Sequence, residues 1–117
     1  MNIALACGGT GGHLFPGLAT AEVLKRRGHH VELWVAGKDI EAPALKAWSG
    51  SVHTVPAEGL PHGFSPRTLR AIWTLWRASN VCAVQMKQPA PAVLLGMGCY
   101  ASVGPTLAAK RLGIPVV

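Results

Sequence analysis

Apolar positions along this chain follow two periods that take turns. Asn2 to Cys7 is a short, nearly continuous apolar run of the kind that fills a strand buried on both faces. Leu14, Leu18, Ala21 and Leu24 then recur at helical spacing up to Arg27, with Pro16 placed for a first turn, where its missing N–H is tolerated. Lys25, Arg26 and Arg27 complement the negative end of that helix, and Gly28 is positioned to cap it. In His30 to Ala36 the alternation of Val31, Leu33 and Val35 with Glu32 and Trp34 predicts a second strand, ended by Gly37. A short helix over Ala42 to Trp48, a third strand over Val52 to Pro56 and a loop over Glu58 to Pro66 follow, and helix resumes near Arg67. Pro91 to Leu95 reads as a buried strand. Pro105 opens a helix that runs to Leu112 and is capped by Gly113, and Ile114 to Val117 begins a last strand.

Strands alternating with helices imply an α/β fold, a Rossmann-like, doubly wound parallel sheet. Such sheets bind ligands beyond the carboxyl ends of their strands, where the strand order reverses. Two glycine-rich loops follow strands and are expected at that edge. The first is Gly8-Gly9-Thr10-Gly11-Gly12-His13, leading into the helix that contains Leu14, Phe15 and Pro16; the second runs from Gly96 through Gly98, Tyr100 and Ser102 to Gly104. Glycines let backbone N–H groups approach an anion, and a helix starting just after them adds unpaired donors and a positive dipole end. The expected ligand is phosphorylated. The first loop does not meet G-x-G-x-x-G, and it lacks the Gly-Lys-Ser/Thr ending of a P-loop. A tight turn without a ligand is the alternative, and for the second loop it accounts for the composition about as well.

Composition narrows the picture. A chain of 117 residues holds one domain core, whereas ligand-binding α/β enzymes often close a second lobe over the substrate. The apolar run Ile114-Pro115-Val116-Val117 reads as a core strand cut short, so the chain is expected to be a truncated piece spanning residues 1–117 of a larger protein. Cys7, Cys82 and Cys99 are odd in number and form no C-x-x-C pair, which argues against a disulfide framework or a zinc site and for a reducing cytosol. Six uncharged residues before Cys7 are too few for a signal peptide, and no apolar run is long enough to span a bilayer. The net charge of +6 is uneven: residues 1–58 carry five basic and five acidic side chains, and residues 59–117 carry six basic and none acidic. An anionic partner suits that half.

The segment Arg67 to Ser79 is amphipathic. Leu69, Ile72, Trp73 and Trp76 share one helical face, and Arg67, Arg70 and Arg77 lie on the other with Thr74 and Ala78. Packing of the apolar face on the sheet is the ordinary account. The alternative is an interfacial helix with tryptophans at headgroup depth and arginines drawing anionic lipid, a patch that Phe64 and Leu75 would widen. Nucleic acid is disfavoured, because no RNP-like motif accompanies the basic and aromatic residues.

The segments from Gly8 to Gly17, from Leu95 to Gly98 with Tyr100 and Gly104-Pro105, and from Leu112 to Val117 together resemble the MurG family, the family 28 UDP-N-acetylglucosamine transferases, over nearly the whole chain. The resemblance implies the N-terminal, acceptor-binding lobe of a GT-B fold, with the C-terminal donor-binding domain absent. It implies an inverting transfer of GlcNAc from UDP-GlcNAc to undecaprenyl-diphospho-MurNAc-pentapeptide in peptidoglycan synthesis, at the cytoplasmic side of the bacterial cell membrane, with no metal and no cofactor. Thr10, Gly11 and Gly12 match a contact with UDP-GlcNAc. His13 matches a histidine near the transferred sugar, as a candidate base or sugar anchor, a helix-capping role being equally open. Gly96, Gly98, Tyr100 and Ser102 match the loop associated with the acceptor diphosphate, and Leu69, Arg70, Trp73, Trp76 and Arg77 the membrane-facing patch. Cys99 stands where the family carries a second glycine, and its Cβ disfavours positive φ. Two other readings stay open: a nucleotide-sugar or lipid-diphosphate binding module working with a separate catalytic chain, and a nicotinamide-binding domain with Asp39 holding a ribose.

Overall fold

The computed structural model describes residues 1–8, 11–55, 66–87, 90–98 and 102–117. Strands β1 (Asn2–Ala6), β2 (His30–Ala36), β3 (Ser51–Val55) and β4 (Val93–Gly96) form one parallel sheet in the order β3-β2-β1-β4. Helices α1 (Gly11–Arg26), α2 (Pro43–Lys46), α3 (Pro66–Met86) and α4 (Val103–Arg111) connect or follow them, with a 3-10 turn over Gly37–Glu41. The C-terminal residues extend the sheet beyond β4: Leu94 N–H donates to Pro115 O, and Val117 N–H to Leu94 O. This is the Rossmann-like, doubly wound sheet expected from the alternation of strand and helix.

Burial splits the strands with period two. Leu5, Cys7, Val31, Leu33 and Val35 face α1 and α2, where Leu14, Ala21, Leu45 and Trp48 complete one core. Ala4, Ala6, Trp34, Val55 and Leu94 face α3 and α4 and pack with Cys82, Met86, Ala108 and Ile114. Trp34 is wholly buried there, in register with Ala6 of β1 on one side and His53 of β3 on the other. Because β2 lies inside the sheet with both faces covered, Glu32 is buried at 7 % exposure rather than solvated, as its alternation with apolar residues suggests. Its carboxylate accepts the Trp34 indole N–H at 3.2 Å and lies 3.4 Å from His53 Nε2, and the His53 ring stacks on Trp34 with centroids 4.4 Å apart.

Glycine ends two helices as the sequence predicts. Gly28 takes φ +89°, and Gly28 and His29 donate their N–H groups to Lys25 O and Leu24 O; Gly113 (φ +73°) and Ile114 repeat the pattern on Lys110 O and Ala109 O. The N-terminus of α1 departs from expectation. The helix begins at Gly11, so Pro16 is its sixth residue, in the second turn, where the ring removes the donor that would meet the Gly12 carbonyl. Gly11 and Gly12 themselves open the first turn.

Candidate functional site

The order β3-β2-β1-β4 reverses at β1, and there both glycine segments emerge. Ala6 is in register with Gly96, and Met97 N–H donates to Ala6 O at 2.9 Å, so the chain leaves β1 and β4 side by side. Gly8 and Gly98 follow at φ +128° and +85°, conformations closed to most side chains. At Gly8 a Cβ would also stand 2.5 Å from Asp39 Oδ2. Asp39 is buried and accepts the Ala36 N–H at 3.1 Å. Its carboxylate thus holds the turn that follows β2, a structural use in place of the ribose contact that a nicotinamide domain would need.

From this crevice α1 and α4 start, each with N-terminal N–H groups that have no intrahelical acceptor. No acidic residue stands in either first turn, which leaves both positive dipole ends uncompensated within their helices. Gly11, Gly12 and His13 form the first turn of α1, and His13 is half-buried. Ser102 is the N-cap of α4 and is buried. Gly96, placed in a loop by the sequence reading, is the last residue of β4, and its N–H donates to Val117 O at 2.9 Å. That donor is therefore used by the sheet. Thr10, Cys99 and Tyr100 lie outside the described residues, as do Phe64 and the expected loop from Glu58 to Ser65. Among the described residues no group of His, Cys, Asp or Glu is arranged to hold a metal ion.

The amphipathic helix behaves differently from the ordinary packing account. Leu69, Ile72, Trp73 and Trp76 are 73, 57, 56 and 59 % exposed. The side of α3 that meets the core is a strip of smaller residues, Ala78, Ser79, Cys82 and Ala83, closed by Met86. Ala78, assigned to the polar face from the sequence, is therefore a core residue. The Arg77 guanidinium lies 4.9 Å from the Trp73 ring centroid. Beside the exposed stripe an open groove of about 490 Å³ runs between α3 and α4, lined by Ile72, Leu75, Trp76 and Leu107 with Lys110 and Arg111 at its edge. Arg111 donates to Asn80 Oδ1 and so ties α4 to α3. Leu107, Lys110 and Arg111 were missed as part of this surface. Their signal, two cations in a last turn, reads equally as helix capping. No helix among the described residues is long and apolar enough to cross a membrane.

Similarity to known proteins agrees with this architecture. The chain is 37 % identical over 115 residues to a UDP-N-acetylglucosamine–N-acetylmuramyl-(pentapeptide) pyrophosphoryl-undecaprenol N-acetylglucosamine transferase of Rhizobium leguminosarum, a match covering 98 % of the chain and 30 % of that protein. It superposes on MurG of Acinetobacter baumannii with a TM-score of 0.82 and 30 % identity, over 98 % of the chain and 34 % of MurG. Streptomyces glycosyltransferase SsfS6, solved with thymidine diphosphate, shares the fold at a TM-score of 0.69 and 20 % identity, over 99 % of the chain and 37 % of SsfS6. The chain thus spans about a third of the length of these relatives. The glycosyltransferase family 28 N-terminal domain matches residues 3–117, and with the sheet, its crevice and these relatives in agreement, the chain belongs to that family.

Proposed function

We propose that this chain is the N-terminal, acceptor-binding part of an inverting glycosyltransferase that moves GlcNAc from UDP-GlcNAc to undecaprenyl-diphospho-MurNAc-pentapeptide on the cytoplasmic face of the membrane. The observation that carries the reading is the crevice at β1 and β4, where two positive-φ glycines and the starts of α1 and α4 converge. The N–H groups of a first helical turn have no intrahelical acceptor and favour negative charge, which suits diphosphates. In this reading Thr10, Gly11 and Gly12 contact the nucleotide sugar, and Gly98, Tyr100 and Ser102 lie along the acceptor diphosphate. Gly96 supports that loop from within the strand. His13 takes the proton of the acceptor hydroxyl as it attacks the anomeric carbon, while the UDP diphosphate leaves with the bonding electrons.

The exposed α3 stripe with Arg70, Arg77, Lys110 and Arg111 nearby supports a peripheral seat on anionic lipid, which would bring a membrane-anchored acceptor to the crevice.

The test is transfer of radiolabel from UDP-GlcNAc to a lipid-linked acceptor analogue by a chimera in which this chain replaces the matching segment of the Acinetobacter enzyme. Transfer is expected, with turnover falling at least about tenfold in His13→Ala. A folded chimera without transfer overturns the assignment, and near-native turnover in His13→Ala removes the base role.

A further inference from the structure

The opposite edge of the sheet holds a second polar recess that the transfer reading does not use. His30 opens β2 and Ser51 opens β3, and the register of Glu32 with Ser51 brings these two strand starts close together. The glycine turn after α1 delivers His29 and His30 to the same place, and the segment after α2 adds Trp48 and Ser49. With Lys25 from the last turn of α1, these side chains line an open recess of about 480 Å³.

Its chemistry is one-sided. The lining offers an ammonium, two imidazoles, two hydroxyls and an indole, and no carboxylate. The cation is held in place: Lys25 Nζ lies 5.1 Å from the Trp48 ring centroid and donates to Ser49 Oγ. Trp48 is 8 % exposed, and its indole N–H is buried with no acceptor among the described residues. A buried N–H of this kind lacks the acceptor that such donors ordinarily find. Gly50 sits directly against that nitrogen, at a spot where a Cβ would stand 2.7 Å from Nε1, so no side chain can intervene there.

We propose that this recess is a binding site for a phosphate or diphosphate group, with Lys25 as the charged anchor, Ser49, Ser51 and the histidines as donors, and Trp48 as its buried wall. A fixed lysine surrounded by neutral donors suits a tetrahedral oxyanion, whose several acceptor oxygens match the surplus of N–H and O–H groups. The site lies at the amino-terminal ends of the strands, so its occupancy is independent of the crevice at their carboxyl ends and of whether transfer occurs.

The experiment follows the indole N–H resonances of the four tryptophans in the isotopically labelled chain during titration with inorganic phosphate and then pyrophosphate, against sodium chloride of equal ionic strength. The Trp48 resonance is expected to shift saturably, with Kd below about 5 mM, while that of Trp34, in the other core, stays put and reports an intact fold. Lys25→Gln is expected to weaken binding at least about fivefold, and Ser49→Ala, which frees the lysine from its hydroxyl partner, to weaken it in the same direction. A Trp48 shift matched by chloride, a titration unchanged in both variants, or a saturable shift confined to Trp73 and Trp76 beside the α3 arginines would each overturn the proposal.

Discussion

At the residue scale, close approach decides more than propensity. Gly17 lies in α1 against the end of β1, where a Cβ would stand 2.5 Å from Cys7 Cβ and 2.7 Å from its Sγ. Alanine is the better helix former by about 1 kcal/mol, but the overlap is with the buried residue just after β1, and overpacking typically costs about 1–3 kcal/mol. Gly17→Ala is therefore expected to lower the urea midpoint; an unchanged or raised midpoint would show that α1 can lift off β1 freely. Cys82 gives a second expectation. Burial pushes its thiol up to about 12 from an ordinary value near 9. The folded state thus resists forming the thiolate that the unfolded chain forms readily above pH 9. The associated stability is complete below about pH 9 and is lost as pH rises towards 12. The difference in stability between the chain and Cys82→Ala should shrink between pH 8 and pH 10.5 in denaturant titrations, and Cys82 should react with thiol reagents at pH 8 only on unfolding.

At the element scale α3 is the informative case. Its sequence carries two stripes, one of bulky apolar residues and one of small ones, and periodicity favours the bulky stripe as the packing face. The structure uses the small stripe, because α4 packs close against it: a Cβ on Gly104 would already stand 3.3 Å from that of Ala78. Leu69, Ile72, Trp73 and Trp76 are displaced to the surface as a result. Since both tryptophans are more than half exposed, Trp73→Glu with Trp76→Glu should leave the circular dichroism and melting temperature nearly unchanged. The same double variant should lose binding to phosphatidylglycerol vesicles in co-sedimentation. Undiminished vesicle binding would remove the membrane role of this face.

At the scale of the whole molecule, one sheet separates two cores and two edges. The carboxyl edge gathers the glycine turns and two helix starts; the amino edge gathers Lys25, the histidines and Trp48. The 117 residues match about a third of the length of their relatives, and in two-lobed enzymes the donor and acceptor meet between lobes. Incubated alone with UDP-GlcNAc and a lipid-linked acceptor, the chain is expected to give no product, in contrast to the chimera. Transfer by the chain alone would locate the whole reaction in this one domain.

Local forces set β2 over His30 to Ala36, the helix ends at Gly28 and Gly113, the doubly wound order of elements and the two glycine segments. Each depends on neighbours a few positions away, through backbone sterics, hydrogen bonding and period, so each is legible in one dimension. Tertiary structure decided where Pro16 and Gly96 lie within their elements, that Glu32 is buried between Trp34 and His53, and which stripe of α3 meets the core. It also assembled the Lys25, His29, His30 and Ser49 recess from segments that adjoin only through strand pairing. These outcomes turn on volume and burial shared between distant segments, and neither quantity exists until the sheet has closed around them.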